Sequence, residues 1–532
     1  MTDGNGDTGV EVTVGDTPRV LALPPTVLDR SIHTLEDARS YFDPDLVLLL
    51  GPEREPQATA RARHVFDEPV VHPPLGDGGP VTRHDLETVS LVTVQRGTVL
   101  EEAASICSAA LDDDAALTLV CDEVTTTVRP TALETTLEYA SELATLVDLA
   151  DLRRNLVVLT GGLPATYDET WHLERSGTCL GVGEEATPND DAVAVRVHGT
   201  GPVDGYSVAS SISSLSLTAG TAAAAGGIRP LEVGVETLDV SAFGLEAVAN
   251  VGPKTAARFT ERGITSRAEL LETPVEALCD LPGVGRRAVE KMHHHAAVLE
   301  TGEIRRVTDE PVPGERAPKP PLCLDIETDG LSPTILWQIG VYDPDSDEYR
   351  AFVERSNPTD PGSVLESFCE WLLGAHPDRT LCTWNGWRFD YKHLGAFVAR
   401  HVPHYASEWE RVSKSDLYHW AVGEGNALLP GRTNTLEDVS SALGYDGPQT
   451  GLDGAATAAA YQRFIRTGEE LEWARHEAYC EDDCRALWHV YERIREAPRV
   501  ESARRNSSHT GLEPSNTDPT RRSSEQTGLG DF

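Results

Sequence analysis

At residues 323–330 the chain reads CLDIETDG, and this stretch restricts the fold more than any other. The apolar lead-in Pro321, Leu322, Cys323 and Leu324 runs straight into two carboxylates, Asp325 and Glu327, with only Ile326 between them. Side chains alternate along a strand with a period of two, so both carboxylates fall on one face at the end of what reads as a buried strand. Like charges held side by side repel, and burial adds to the cost. A chain that keeps this arrangement has to bring a compensating charge to it.

Two later stretches belong with the first. WNGWRFDYKHL (384–394) carries Asn385, Phe389 and Asp390, and EAYCEDDCRALWHVY (477–491) carries Tyr479 and Asp483. The second reads as a helix with Cys480, Cys484, Leu487 and Tyr491 as its core face; Tyr479 and Asp483, four apart, project together from the neighbouring face. D-x-E, N-x-x-x-F-D and Y-x-x-x-D, in this order, resemble the three motifs of the tyrosine variant of DEDD-type 3′–5′ exonucleases, which have an RNase H-like fold. SDLYHW (415–420) and TNTLEDVSSALG (433–444) are similar to elements of the family B DNA polymerase exonuclease domain and of YprB-like predicted nucleases. The resemblance covers about 175 residues and no polymerase domain accompanies it. It implies that Asp325, Glu327, Asp390 and Asp483 hold two divalent cations, Mg²⁺ or Mn²⁺, for two-metal hydrolysis of a phosphodiester. It also implies that Tyr479 orients the attacking water, that Phe389 packs beneath the site, and that Asn385 lies on the nucleic-acid side. Asp482 competes with Asp483, and the Y-x-x-x-D spacing selects Asp483.

Upstream, LPGVGRRAVEKM (281–292) resembles a helix-hairpin-helix motif, and NVGPKTAARF (250–259) looks like a second copy. Turn glycines let a phosphate approach the backbone while free amides at the next helix start donate to its oxygens. Gly252, Lys254, Gly283, Gly285, Arg286 and Arg287 are the expected nucleic-acid contacts. Asn250 stands where a glycine is usual and tolerates the left-handed region better than other residues. His293 to His295 read as the end of the second helix. Residues 245–306 carry nine basic and nine acidic residues, where the chain's average would leave about five net negative charges.

That average is extreme: 45 basic against 86 acidic residues give −41, with only five lysines. The pattern resembles the proteins of salt-in halophilic archaea, in which concentrated ions screen self-repulsion. The acidity then belongs to the solvent and does not exclude nucleic acid as a partner. No run of about 18 apolar residues and no signal pattern appears, so a soluble, cytoplasmic protein with no membrane partner is expected. Nine cysteines without a CxxC pair read as reduced core residues.

With 532 residues the chain is long enough for roughly three domains. The expected organisation is multidomain α/β. Residues 1–17 are expected to be disordered, 18–218 an α/β domain of unknown role, and 219–239 a linker. A small all-α tandem helix-hairpin-helix domain (240–306) follows, then an extended proline-rich linker (307–320), an RNase H-like mixed-sheet exonuclease domain (321–497) and a disordered tail (498–532). LTLVCDEV (117–124) looks like the strand-plus-acid element of RecA-type ATPases, but no G-x-x-x-x-G-K-[ST] precedes it, which leaves a scaffold or partner-binding role. In the tail, Gln526, Leu529 and Phe532 match the spacing of the motif by which replication and repair enzymes bind the sliding clamp. The expected function is a metal-dependent 3′–5′ exonuclease, on DNA sooner than RNA, in repair or replication. The alternatives are a ribonuclease of the same fold and a non-catalytic nucleic-acid adaptor.

Overall fold

The computed structural model describes residues 17–500 apart from 76–77, 113–115, 130–133, 151, 153–155, 184–191, 202–206, 208–209, 220–230, 283, 356–359, 449, 451, 453 and 469. The N-terminal domain is built on two sheets. One has the order Leu231–Asp239, Ser211–Ala219, Arg19–Leu23, Leu46–Leu49, Val70–Val71; the other has seven strands, with Val89–Val94, Ala116–Val120, Leu156–Pro164 and Ala192–Gly201 running parallel at its centre. Strands such as LVLL (46–49) and VSLVTV (89–94) are buried throughout, as expected where both faces of a sheet are covered. Val20, Ala22, Leu46 and Leu48 of the first sheet meet Leu91, Val120, Val157 and Leu159 of the second in one apolar layer. Helices cover the outer faces, Ile32–Phe42 and Pro56–Val65 on the first sheet and Ala104–Asp112 and Ala140–Leu149 on the second.

The strand β1 (Leu231–Asp239) corrects the expected linker 219–239. It pairs antiparallel with Ser211–Ala219 over nine residues and forms the edge of the first sheet. Apolar residues alternate only weakly along it (Leu231, Val233, Val235, Leu238), and the small-residue run before it hid the strand.

The helical module that follows packs Leu245, Val251, Phe259, Leu270, Leu278, Leu281, Val289 and Met292 into a core of its own. Its helices α1 (Pro253–Thr260) and α2 (Arg286–Thr301) start at Gly252 and Gly285. Asn250 takes φ +68°, the left-handed conformation that asparagine accepts. Helix α2 runs to Thr301 and ends on Gly302 at φ +68°, so His293–His295 lie inside it and not at its end. The proline-rich segment is not a free extended linker. It makes two turns (Glu315 to Val312, Ala317 to Gly314), buries Val312, and receives the Tyr491 hydroxyl on the Pro313 carbonyl.

The C-terminal domain is a mixed sheet of β2 (Leu322–Thr328), β3 (Leu336–Asp343), β4 (Glu348–Val353), β5 (Leu381–Thr383) and β6 (Lys414–Asp416), ordered β4-β3-β2-β5-β6. The first three strands are antiparallel, and β5 and β6 add in parallel. Helices α3 (Gly362–Ala375) and α4 (Asp390–His401) pack on one face against Leu324, Ile339 and Val341. Two more, α5 (Leu436–Ala442) and α6 (Trp473–Glu496), cover Cys323 and Tyr342 on the opposite face. Cys480, Cys484, Leu487 and Tyr491 are buried as their spacing predicts. Residues 498–500 extend past the expected boundary: the Arg306 amide donates to the Pro498 carbonyl, and the Val500 amide donates back to Arg306. Among the described residues no helix is long and apolar enough to cross a membrane.

Candidate active site

Asp325 and Glu327 leave β2 on one face, opposite Gly340 and Gln338 of β3. Gly340 decides what covers them. A Cβ at that position would stand 2.5 Å from the Cys480 sulfur, so only glycine lets α6 come this close to the sheet. The close approach sets Tyr479 and Asp483 over the strand carboxylates and places the Cys480 thiol 3.4 Å from Asp325 Oδ2.

Asp390 reaches the group from the first residue of α4, where its carboxylate accepts its own amide and that of Ile326, the residue between Asp325 and Glu327. A sharp turn delivers it. Asn385 takes φ +65°, and the buried Asp416 at the end of β6 pins the turn by accepting from the Asn385, Trp387 and His419 amides at 3.0, 3.0 and 2.9 Å. Sequence reasoning gave Asp416 no role. It sits inside SDLYHW, but nothing in that string points to three backbone donors from two loops.

The structure therefore brings the four carboxylates within one another's charge field. Burial, reinforced by Glu327, Asp483 and Asp390, pushes Asp325 well above the carboxylate range; burial with Asp483 and Asp390 does the same to Glu327. Asp390 and Asp483 are both pushed up to about 7, burial again leading. Asp483 is opposed in this by the Tyr479 hydroxyl, which donates to it, and burial, reinforced by Asp483, Glu327 and Asp325, holds that phenol protonated. Asp482 points elsewhere and accepts the Tyr445 hydroxyl at 2.8 Å. Phe389 is partly buried against the core below.

The residues fit divalent cations. Glu327 Oε1 is buried without a hydrogen-bond partner, and ligand atoms of Asp325, Glu327 and Cys480 lie within 4.8 Å of one another. A set of mutually destabilised hard oxygens, one of them orphaned, is what Mg²⁺ or Mn²⁺ relieves. Cys480, pushed well above its ordinary value by burial, remains a thiol that donates toward Asp325 instead of competing as a soft ligand.

In the hairpin module, Gly252 and Gly285 are exposed N-caps with ordinary φ of −91° and −83°. A Cβ on either would meet nothing within 4 Å. Lys254, Arg286 and Arg287 are exposed beside them, and Arg286 is engaged by Glu276 and Glu290 at 3.2 and 3.0 Å. Gly283, like Gln526, Leu529 and Phe532, lies outside the described residues.

Residues 322–495 match the family model of the RNase_H superfamily, and residues 244–297 match that of the SAM-like helix-hairpin-helix tandem. No curated protein matches the chain. The match over 322–495 runs from β2 into α6 and includes all four carboxylates, and that over 244–297 includes the glycine-capped starts of both α1 and α2. The chain thus joins an RNase_H superfamily domain to a tandem helix-hairpin-helix domain.

Proposed function

We propose that this protein is a divalent-metal-dependent nuclease of the DEDD tyrosine type, acting as a 3′–5′ exonuclease on DNA in repair or replication. The observation that carries the reading is the convergence of four carboxylates around an orphaned buried Glu327 oxygen. Asp325, Glu327, Asp390 and Asp483 would hold the ions, which when bound supply an activated water and charge stabilisation for displacement at phosphorus. The protein's own part is positional. Tyr479, protonated and anchored on Asp483, offers its hydroxyl beside the carboxylates to orient the attacking water, and Asp416 fixes the turn that delivers Asp390.

The hairpin module would present the strand to this site. Backbone amides at Gly252 and Gly285 need no long-range field, which suits a surface of net charge −41 working in concentrated salt, as in a halophilic archaeon. The Gln526, Leu529, Phe532 spacing would tether the enzyme to a sliding clamp and raise its local concentration at DNA ends. The experiment is a nuclease assay in molar KCl with Mg²⁺ or Mn²⁺ and end-labelled single-stranded DNA, duplex DNA and RNA. Shortening from the 3′ end, faster on DNA, supports the reading, and internal cuts or RNA preference redirect it.

A further inference from the structure

The cleft that opens on Asp325 and Asp483 is not built by the nuclease domain alone. Its volume is about 820 Å³, and it runs from Asp325, Tyr479 and Asp483 past α5 to residues 235–238 of β1 and Tyr41, all in the N-terminal domain. Those residues form its far wall. The wall is held in place: Asp37, on the helix Ile32–Phe42 that also carries Tyr41, takes the Arg432 guanidinium of the nuclease domain at 2.9 and 3.0 Å. On its other side it takes Arg267 of the hairpin module at 2.7 Å. Arg432 directly precedes Thr433, which lines the same cleft.

The wall is the free edge of a sheet. β1 pairs only with Ser211–Ala219 among the described residues. The Val240 amide donates to the Ser210 carbonyl, so Leu238 and Glu236, at intervals of two from Val240, spend their backbone groups on that neighbour. Val235 and Thr237 therefore turn their N–H and C=O groups outward, on the side that lines the cleft. Unpaired strand edges are strong, directional hydrogen-bonding surfaces. The side chains beside this edge are Glu236, which accepts the Tyr41 hydroxyl at 2.9 Å, and, on the nuclease side, Glu437 and Asp438. A wall of this charge repels phosphates while its backbone offers donors and acceptors.

We infer that the N-terminal domain is the second wall of the nuclease cleft and binds the bases of unpaired nucleotides through the free backbone edge of β1 at Val235 and Thr237. The inference rests on the nuclease reading. Base edges that are free can satisfy such a strand, and base edges already consumed by pairing cannot, so the domain selects unpaired ends. Phosphates are turned toward the carboxylates and their cations, away from Glu236. The cleft has the size of an ordinary ligand pocket, with room for a few unpaired nucleotides.

The test uses the full chain and a single-stranded DNA oligonucleotide carrying 4-thiothymidine at each of its last four positions in turn, with Ca²⁺ replacing Mg²⁺ to hold the complex. Irradiation and peptide mapping should give cross-links within 231–239 for at least one position. Cross-links confined to the hairpin module and residues 321–497 would overturn the inference. In parallel, Glu236→Gln should lower KM for a ten-nucleotide oligonucleotide about 2- to 5-fold by removing one repulsive charge, and lower it less for thymidine 5′-phosphate p-nitrophenyl ester, which does not reach along the wall. Equal kinetics on both substrates would count against it. A wild-type protein that hydrolyses neither substrate yet cross-links within 231–239 would fail the nuclease reading and leave the wall standing as a binding surface.

Discussion

At the scale of single residues, the carboxylates set an opposition between stability and activity. Burial raises the pKa of Asp325, Glu327, Asp390 and Asp483, and Asp390 and Asp483 raise those of Asp325 and Glu327 further, so in the absence of cations their charges work against the fold. Asp325→Asn should therefore stabilise the metal-free protein by about 1 kcal/mol or more and remove hydrolysis. Thermal melts with and without Mn²⁺ check it: the wild type should gain more in Tm on adding metal than the variant does. Tyr479→Phe should be milder, reducing kcat and retaining the metal-induced gain in Tm, because it deletes only a hydroxyl. Asp416 acts differently, as a positioning residue. Asp416→Ala leaves three amides of the 385–387 turn and His419 without their acceptor, at about 1–3 kcal/mol for each buried group left unsatisfied. Its effect should appear in stability and kcat together, and Asp416→Asn, which keeps one accepting oxygen, should recover part of both.

Among the elements, those with a strong period were legible and those defined by partners were not. The face Cys480, Cys484, Leu487, Tyr491 marks α6, and the apolar lead-in marks β2, because burial alone dictates both patterns. β1 is not legible as a strand because its apolar alternation is confined to Leu231, Val233 and Val235 and follows a run of small residues that reads as linker. The end of α2 is not legible because three consecutive histidines look like terminal charge, yet the helix continues to Thr301. His295 instead joins two domains: its Nδ1 accepts the Ala249 amide at 2.8 Å, so Nε2 carries the proton and donates to the Leu429 carbonyl at 3.3 Å. Burial, with Lys291, Arg267 and Arg432 nearby, lowers its pKa to about 4. A histidine depressed in the folded state contributes stability above its unfolded pKa, near 6.5, and loses it as pH falls toward 4. Between pH 7 and pH 5 the wild type should lose about 1–2 kcal/mol more than His295→Gln in denaturant titrations at fixed salt. The two glycine-capped helices make a separate prediction. Gly252→Val and Gly285→Val meet open space and ordinary φ, so stability should change by no more than about 1 kcal/mol. Affinity for long single-stranded DNA should fall if these amides hold phosphates, and unchanged affinity by fluorescence anisotropy would make the module structural.

Across the whole molecule, one partly buried aspartate, Asp37, holds three modules in register. Asp37 accepts from Arg267, Arg432 and the Gly244 amide; burial alone would raise its carboxyl, and the two guanidiniums hold it below the ordinary value. None of this was legible in the sequence, since residues 230 and 395 positions apart carry no local signature of each other. By contrast the carboxylate cluster proposed as the active site carries a local signature, because residue types at short spacings mark each of its three segments and only the assembly is long-range. Asp37→Ala strands two guanidiniums at the junction, at about 3–5 kcal/mol, and should separate the N-terminal wall from the cleft, seen as a broader small-angle scattering profile. The central claim, that the four carboxylates form a metal-dependent 3′-end nuclease, is tested most directly by a product ladder. A 5′-labelled single-stranded DNA is incubated with full-length protein and Mn²⁺ in molar KCl, beside Asp483→Ala. Single-nucleotide shortening from the 3′ end that requires the metal and is absent in Asp483→Ala is expected; an intact substrate with every divalent cation, or equal shortening by Asp483→Ala, would rule the nuclease assignment out.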